Sequence, residues 1–188
     1  MSDHLQYFDY LRQRSVLGNI YRRFWLHPKV SRYLVGKTLD VGCGLGGMVQ
    51  YRPNTVGVDI NPYNVNYGTD HGLNILLMVE DQLPFENAQF DCVLLDNVLE
   101  HLAKPKPLLH EIKRILVPGG RLVIGVPGLL GMKADEDHKV FYGEIELEAL
   151  AKQVDFEPIE FFYTPLWRSI LLSNLLRQYC TYSIWRAS

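Results

Sequence analysis

Short apolar runs that alternate with helical stretches dominate the chain after Gly36. Five runs are apolar, rich in β-branched and aliphatic residues, and bounded by Gly, Pro, Asn or Asp; they cover residues 38–41, 55–59, 74–79, 91–95 and 121–126. Such runs are typical of strands buried in a parallel sheet. Residues 105–116 carry Leu and Ile at helical spacing, and Pro118-Gly119-Gly120 ends that helix before the next strand. The alternation predicts a doubly wound, mostly parallel α/β sheet.

Two flanking segments complete the pattern. Residues 4–34 mix aromatic and basic side chains in a helix-compatible way, with a break predicted at His27-Pro28. Near the other end, candidate strands at 158–163 and 181–185 flank a predicted apolar helix over 167–177. Burial against the last strands explains that helix, with a dimer interface or a membrane contact as secondary alternatives. We predict an N-terminal helical cap or lid over 1–36 and one compact domain over 37–188.

Composition narrows the class of protein. The chain has 188 residues, 47% hydrophobic and 21% charged, which fits an ordinary globular domain with a single core. A formal net charge of -2 argues against wholesale nucleic-acid binding. Three widely spaced cysteines predict neither a disulfide framework nor a zinc site. Without a signal-like stretch or an apolar run long enough to span a bilayer, we expect a cytoplasmic monomer or homodimer.

The most specific local motif follows the first predicted strand. Gly42, Gly44 and Gly47 satisfy G-x-G-x-x-G, a dinucleotide-binding motif whose glycines let the backbone approach a ligand. Asp40 precedes the first glycine by two residues and would repel a pyrophosphate, while it suits a cationic ligand. Asp59 closes the second strand, where a carboxylate can accept from both ribose hydroxyls. The motif predicts a nucleoside ligand, and Asp40 favours S-adenosylmethionine over NAD.

The segment 38–127 resembles the class I S-adenosylmethionine-dependent methyltransferases, especially the type 11 group. Beyond the glycine turn it matches that group through an ordered set of motifs: Leu83-Pro84-Phe85, Phe90-Asp91, Glu100-His101 and Leu116-Val117-Pro118-Gly119-Gly120-Arg121-Leu122. The resemblance implies a seven-stranded Rossmann-like methyltransferase fold whose last strand is antiparallel. It also implies S-adenosyl-L-methionine as the cofactor.

The resemblance further implies which residues contact the cofactor. These are Asp40, Gly42, Gly44, Gly46 and Asn97 at the methionine and sulfonium end, Asp59 at the ribose, and Ile60, Asp81 and Gln82 around the adenine. One position departs from the family, which often has an acid four residues before Leu83, where this chain has Val79. We therefore expect a shifted acid or backbone groups to recognise the adenine amino group.

Two histidines are the candidate catalytic residues, because histidine is the natural base near neutral pH. His101 follows the fourth strand, at the sheet edge where ligands bind, and His138 lies in the loop after the fifth strand, which lines the acceptor pocket in the family. Tyr142 is a second candidate for facing the acceptor. Some quinone-biosynthesis members use E-x-x-E-H near the first site for a divalent cation; Asn97 replaces the first Glu here, so no metal is predicted. A structural hydrogen-bonded Glu100-His101 pair and a solvated acidic loop remain the alternatives.

These observations predict methyl transfer to a small-molecule acceptor, of sugar, lipid or quinone type. Seven basic residues and no acid lie between positions 12 and 37: Arg12, Arg14, Arg22, Arg23, Lys29, Arg32 and Lys37. This composition fits a lid over an anionic acceptor, a contact with an anionic membrane surface, or a solvated helix. A non-catalytic S-adenosylmethionine-binding module and, less favoured, an NAD-dependent oxidoreductase are the alternative functions.

Overall fold

A computed structural model describes residues 3–188 of the chain. Over these residues the strands are β1 (Thr38–Val41), β2 (Thr55–Asp59), β3 (Ile75–Leu77), β4 (Phe90–Asp96), β5 (Leu116–Pro127), β6 (Phe156–Thr164) and β7 (Cys180–Ala187). The helices are α1 (Asp3–Arg12), α2 (Val16–Tyr21), α3 (His27–Ser31), α4 (Gly47–Tyr51), α5 (Pro62–Asp70), α6 (Lys106–Ile115), α7 (Leu129–Lys133), α8 (Glu144–Gln153) and α9 (Ile170–Leu175). A π-helical turn covers Arg22–Leu26, and a 3-10 turn covers Leu99–His101.

All seven strands form one sheet in the order β3-β2-β1-β4-β5-β7-β6. The first five strands are parallel, and β7 is antiparallel to both of its neighbours, β5 and β6. The predicted fold is therefore confirmed, including its antiparallel last strand. The strand order reverses between β1 and β4, and ligands bind outside the carboxyl ends of strands at such a switch point.

Strand β5 begins earlier than the sequence pattern predicts. Leu116 already pairs with Phe90, and the register then shifts before Arg121 pairs with Cys92. Gly119, with φ at 76°, lies in this irregular stretch, so the Pro-Gly-Gly segment deforms the strand instead of preceding it. The helix predicted over 167–177 is also shorter, because α9 begins only after the Ser169 side chain caps it through the Leu172 N–H.

The break predicted at His27-Pro28 is wrong. The backbone of His27 is helical, and the π-helical turn continues directly into α3. Pro28 lies in the first turn of α3, where its missing N–H leaves no helical hydrogen bond unmade. The chain instead leaves the helix before Ser15, whose hydroxyl accepts a hydrogen bond from Gly18 N–H at 3.1 Å and begins α2.

The sheet is covered on both faces. One face packs against α6 and α8 through a large apolar cluster that includes Leu109, Ile112 and Leu147. The opposite face packs against α3 and the residues that follow it, where Tyr33 stacks on Phe162 with ring centroids 4.0 Å apart. This packing holds the N-terminal segment against the sheet. No helix within residues 3–188 has the length and apolarity to cross a bilayer.

Candidate cofactor and acceptor site

The glycine turn joins β1 to α4 in a conformation that needs glycine. Gly42, Gly44 and Gly46 all have positive φ, at 71°, 56° and 77°. The Gly42 N–H donates to Val58 O at 2.8 Å, which holds the turn against β2. A Cβ on Gly42 would lie 2.5 Å from Val98 Cγ2, so a larger residue does not fit there. Gly46 is buried, and it directs the chain into α4.

Asp59 lies at the end of β2 and organises the backbone around it. Its Oδ2 accepts from Gly44 N–H at 2.8 Å, and its Oδ1 accepts from Asn61 N–H at 2.8 Å. Burial raises the pKa of Asp59, while these hydrogen bonds lower it. The Asn61 side chain in turn donates to His4 O at 2.7 Å, which ties α1 to the end of β2. Each carboxylate oxygen keeps a second lone-pair direction for a ligand hydroxyl.

Three carboxylates converge at the carboxyl ends of β1, β2 and β4. They belong to Asp40, Asp59 and Asp96, and the charges of Asp96 and Asp59 add to burial in raising the pKa of Asp40 well above its ordinary value. Asp40 is only 5% exposed, and its carboxylate makes no side-chain hydrogen bond within residues 3–188. A cationic ligand would stabilise such a cluster in its ionised form, so this set of carboxylates fits a sulfonium or an ammonium group.

The sequence predicts a role for Asn97 but does not single out Asp96 or Tyr182. Tyr182 O–H donates to Asp96 Oδ1 at 2.7 Å, and Asn97 Nδ2 donates to the same atom at 3.0 Å. Arg14 and Arg22 lower the pKa of Asp96 through their charges, although its burial raises the pKa more strongly. Burial and the neighbouring Arg22 charge lower the pKa of Arg14. The N-terminal segment thus brings two guanidinium groups to the carboxylate cluster.

The residues assigned to adenine lie beyond β2 and β3. Ile60 follows Asp59 directly and is exposed, as a residue covering a ligand face must be before the ligand binds. Asp81 has φ at 58° and lies in a turn that Gln82 N–H closes onto Val79 O at 3.1 Å. Burial and the adjacent Glu80 raise the pKa of Asp81. Asn97 also has a positive φ, 54°, which asparagine tolerates better than most residues.

The two candidate catalytic histidines come together with Glu100. The rings of His101 and His138 lie edge to face with centroids 4.7 Å apart, and His138 Nε2 lies 3.8 Å from Glu100 Oε1. Lys139 N–H and Val140 N–H both donate to Glu100 O, at 2.8 and 3.1 Å. These bonds hold the acidic loop against the 3-10 turn. The alternative of a hydrogen-bonded Glu100-His101 side-chain pair is wrong, since neither Glu100 carboxylate oxygen has a hydrogen-bond partner among residues 3–188.

Burial determines the protonation of this cluster. Glu100 is 1% exposed, and burial raises its pKa to about 8. Burial and His138 lower the pKa of His101. His138 Nδ1 lies 3.1 Å from Met132 O, and a carbonyl only accepts, so Nδ1 carries a proton. Near pH 7 the cluster therefore combines a neutral carboxyl group with an imidazole, His101, that can accept a proton.

The same three side chains have the spacing of a metal site. Their ligating atoms all lie within 4.8 Å of one another. Tyr142 is close to this group, and burial together with the Glu100 charge raises its pKa. Tyr142 also lines a cleft of about 570 Å³ between the end of β5, α9 and the beginning of β7. Tyr142 is the link between that cleft and the histidine cluster, and the cleft is large enough for a small acceptor.

Together, the sheet order, the glycine turn after β1 and the acid at the end of β2 form the arrangement of the Rossmann-like methyltransferase fold. Residues 39–124, a little under half of the chain, match the family model described as "Methyltransferase domain". The resemblance to the type 11 group is thereby confirmed, and the match indicates S-adenosylmethionine as the cofactor.

Several curated proteins are similar to the chain. An uncharacterized protein of Methanocaldococcus jannaschii is 32% identical over 91 residues, which are 48% of this chain and 44% of that protein. The ubiquinone biosynthesis O-methyltransferase of Dechloromonas aromatica is 28% identical over 182 residues, covering 80% of this chain and 78% of that protein. The chain spans less than half the length of the first four curated relatives it matches.

Solved structures share the whole fold at low identity. A methyltransferase of Thermotoga maritima, described as a possible histamine N-methyltransferase, has a TM-score of 0.78 at 18% identity and covers 100% of both chains. A methyltransferase of Aquifex aeolicus has a TM-score of 0.71 at 20% identity, again over 100% of both chains. The cyclase SpnF also shares the fold, with a TM-score of 0.64 at 16% identity over 86% of this chain and 79% of its own. The fold alone therefore does not assign the reaction.

Proposed function

We propose that the protein is an S-adenosylmethionine-dependent methyltransferase that acts on a small molecule with a hydroxyl group. The observation that carries this proposal is the buried Asp40 carboxylate, unpaired beside Asp59 and the glycine turn. An acidic, phosphate-repelling cluster of this kind suits a nucleoside ligand that carries positive charge. It disfavours NAD, whose pyrophosphate would lie against the same glycines.

The geometry of the glycine turn and of Asp59 supports the following cofactor contacts as part of this proposal. Asp59 holds the ribose hydroxyls, and the turn from Gly42 to Gly44 brings the backbone close to the methionine end. Asn97 borders that end, while Ile60, with Asp81 and Gln82, encloses the adenine. Residues 1–36 form a lid, since Leu11 of α1 lies over the glycine turn, within 3.3 Å of a Cβ built on Gly44.

The proton of the acceptor passes to the histidine cluster. When bound, S-adenosylmethionine supplies an electrophilic methyl group, and the protein must align the acceptor and remove its proton. His101 accepts this proton, because its lowered pKa keeps it neutral near pH 7. His138 packs edge to face on His101 and lies beside Glu100, and these contacts position the His101 ring. Tyr142 lines the adjoining acceptor cleft.

A hydroxyl acceptor of lipid or quinone type is favoured by the relatives. One relative, which this chain covers over 78% of its length, is named a ubiquinone biosynthesis O-methyltransferase, and another is named a tocopherol O-methyltransferase. A hydroxyl must lose its proton during methylation, which gives the neutral His101 a role. The acceptor cleft contains aromatic side chains at Phe141, Tyr163 and Tyr179, which suit an aromatic or prenylated ring.

Calorimetric titration with S-adenosylhomocysteine, with NADH as the comparison, tests the cofactor. We expect binding of the homocysteine compound alone, with affinity reduced in Asp40→Asn and unchanged in Asp70→Asn, an exposed acid on α5. Release of S-adenosylhomocysteine in the presence of phenolic acceptors then tests the reaction. Binding without turnover across hydroxyl, amine and carbon acceptors would support the alternative of a non-catalytic binding module, and binding of NADH alone would contradict the proposal.

A further inference from the structure

A large apolar surface lies at one end of the molecule, formed by two segments far apart in the sequence. We name it the apolar rim. Its members are Val16, Leu17, Ile20, Phe24 and Trp25 from α2 and the π-helical turn, and Leu166, Trp167, Ile170, Leu171 and Leu175 from α9 and the residues before it. All ten side chains are exposed, and the most exposed of them are Leu17 at 79% and Ile170 at 81%. Single exposed apolar residues are ordinary, but a clustered set of this size indicates an interaction surface.

The two segments of the rim lie side by side. Near one end, Arg177 Nη2 donates to Tyr10 O–H at 3.1 Å. Near the other end, Trp25 Nε1 donates to Pro165 O at 2.8 Å, and Lys29 Nζ donates to Leu166 O at 3.0 Å. Residues 10–25 and residues 165–177 are therefore antiparallel to each other. Contacts at both ends place the exposed apolar residues between them on neighbouring helices.

Positive charge is concentrated on the same two segments. Residues 10–37 contain seven Lys and Arg and no acid, and residues 161–188 contain three Arg and no acid. The whole chain nevertheless has a formal net charge of -2, so its acids lie elsewhere. Arg168 and Arg186 are paired with Glu144 and Glu157, so most of the unpaired positive charge comes from the first segment. Apolar side chains next to exposed basic residues, with tryptophan among them, are the combination that binds the interface of an anionic bilayer.

The rim borders the entrance of the candidate site. Ile170 and Ser173 of α9 line the acceptor cleft, and Arg14 and Arg22 extend from the first segment toward Asp96. A surface bound to the rim would therefore lie directly against the opening through which an acceptor must enter.

We propose that the apolar rim docks on the surface of an anionic lipid bilayer. Its Leu, Ile and Trp side chains insert at the level of the headgroups, and the exposed Arg12 and Arg23 of the first segment pair with lipid phosphates. Aliphatic residues form most of the rim, which suits acyl chains better than the stacked bases of single-stranded RNA. A second copy of the chain is disfavoured as the occupant, because a two-fold contact would bring the same basic segments together.

Vesicle binding by the full chain tests this inference. Sedimentation with vesicles of phosphatidylcholine containing phosphatidylglycerol is compared with sedimentation with phosphatidylcholine alone, while tryptophan emission is recorded. We expect binding to the anionic vesicles, a blue shift of emission from Trp25 and Trp167, and weaker binding at high salt. The variants Leu17→Glu and Ile170→Glu should each reduce binding about tenfold or more. Ile145→Glu is the matched control, because Ile145 on α8 is 79% exposed and lies outside the rim.

Each outcome is decisive. Circular dichroism and S-adenosylhomocysteine titration establish that the variants remain folded, independently of the proposed methyl transfer. No binding of the natural sequence to anionic vesicles overturns the inference, as does an equal loss in Ile145→Glu. A single-stranded RNA oligonucleotide that binds more tightly than vesicles and depends on Leu17 would assign the rim to nucleic acid instead. Loss of a dimer in the rim variants, measured by analytical ultracentrifugation, would assign it to self-association.

Discussion

The Asp59 carboxylate accepts a hydrogen bond from the backbone N–H of Gly44 across 2.8 Å. This bond joins the end of β2 to the glycine turn that follows β1, fifteen residues earlier in the chain. The same side chain also accepts from Asn61 N–H. One carboxylate therefore shapes the cofactor turn in addition to its proposed contact with the ribose.

Replacing Asp59 with Ala removes the hydrogen bond that holds the glycine turn and also the proposed contact with the ribose. We expect the affinity for S-adenosylhomocysteine to fall by about 1.5–3 kcal/mol, since charge-assisted hydrogen bonds to the ribose are lost and the turn loses an anchor. Calorimetric titration measures the change, with Asp70→Ala as a control acid on the exposed side of α5. An unchanged dissociation constant in Asp59→Ala would show that the ribose lies elsewhere.

Alanine substitutions at Gly42 and Gly72 separate the cost of backbone strain from the cost of a steric clash. Gly42 and Gly72 have nearly the same φ, 71° and 73°, but a Cβ would clash with Val98 at Gly42 and meet nothing within 4 Å at Gly72. We expect Gly72→Ala to lower the free energy of unfolding by about 1 kcal/mol, from strain alone, and Gly42→Ala by about 2–4 kcal/mol. Urea unfolding measures both. Equal losses would mean that Val98 moves aside without cost.

The raised pKa of Glu100 makes stability depend on pH. The folded state keeps the Glu100 proton up to a pH of about 8, whereas the unfolded chain loses it near the ordinary value. The stability that this proton provides is therefore fully present at low pH and lost as the pH rises to about 8. Glu100→Gln cannot ionise, so between pH 5 and 8 it should lose about 2–4 kcal/mol less stability than the natural sequence. Urea unfolding of both proteins at pH 5 and at pH 8 measures this difference. Equal losses of stability in Glu100→Gln and in the natural sequence would contradict the prediction.

Turnover should depend on the histidine cluster. We expect His101→Gln to reduce kcat about 10²–10⁴-fold because the proton acceptor is lost, and His138→Ala to reduce it less, through loss of positioning. The affinity for S-adenosylhomocysteine should stay the same in both variants. His110→Gln, on the exposed side of α6, is the control. Full activity in both His101→Gln and His138→Ala with the true acceptor would refute the assignment.

We also expect activity without a divalent cation. The three side chains are close enough for a metal, but the raised pKa of Glu100 keeps its carboxyl group neutral near pH 7, and a neutral carboxyl is a weak ligand. Turnover after dialysis against EDTA should match that of untreated protein. A loss of activity that Mg²⁺ or Zn²⁺ restores would instead assign a metal to Glu100, His101 and His138.

The local parts of the fold could be predicted from the sequence. The bounds of β1 and β2 agree with the pattern because each strand is a short buried run between turn residues, and closely spaced glycines mark the turn after β1. The pairs that build the rest of the site could not be predicted. Tyr182 and Asp96 are 86 residues apart, and only the pairing of β7 beside β5 brings the phenol to the end of β4. The sequence alone does not show whether Pro28 ends a helix or begins one, because this depends on which turn the proline occupies.

The position of β7 bears on how the protein folds during synthesis. Strand β6 is paired with β7 alone, and β7 separates it from the rest of the sheet. As the ribosome delivers the chain, β1 to β5 can assemble in order, but β6 emerges with no partner and must wait until residues 180–187 follow. During that interval the edge of β5 is also open, so the nascent chain exposes two unpaired strands to chaperones until its last strand inserts between them.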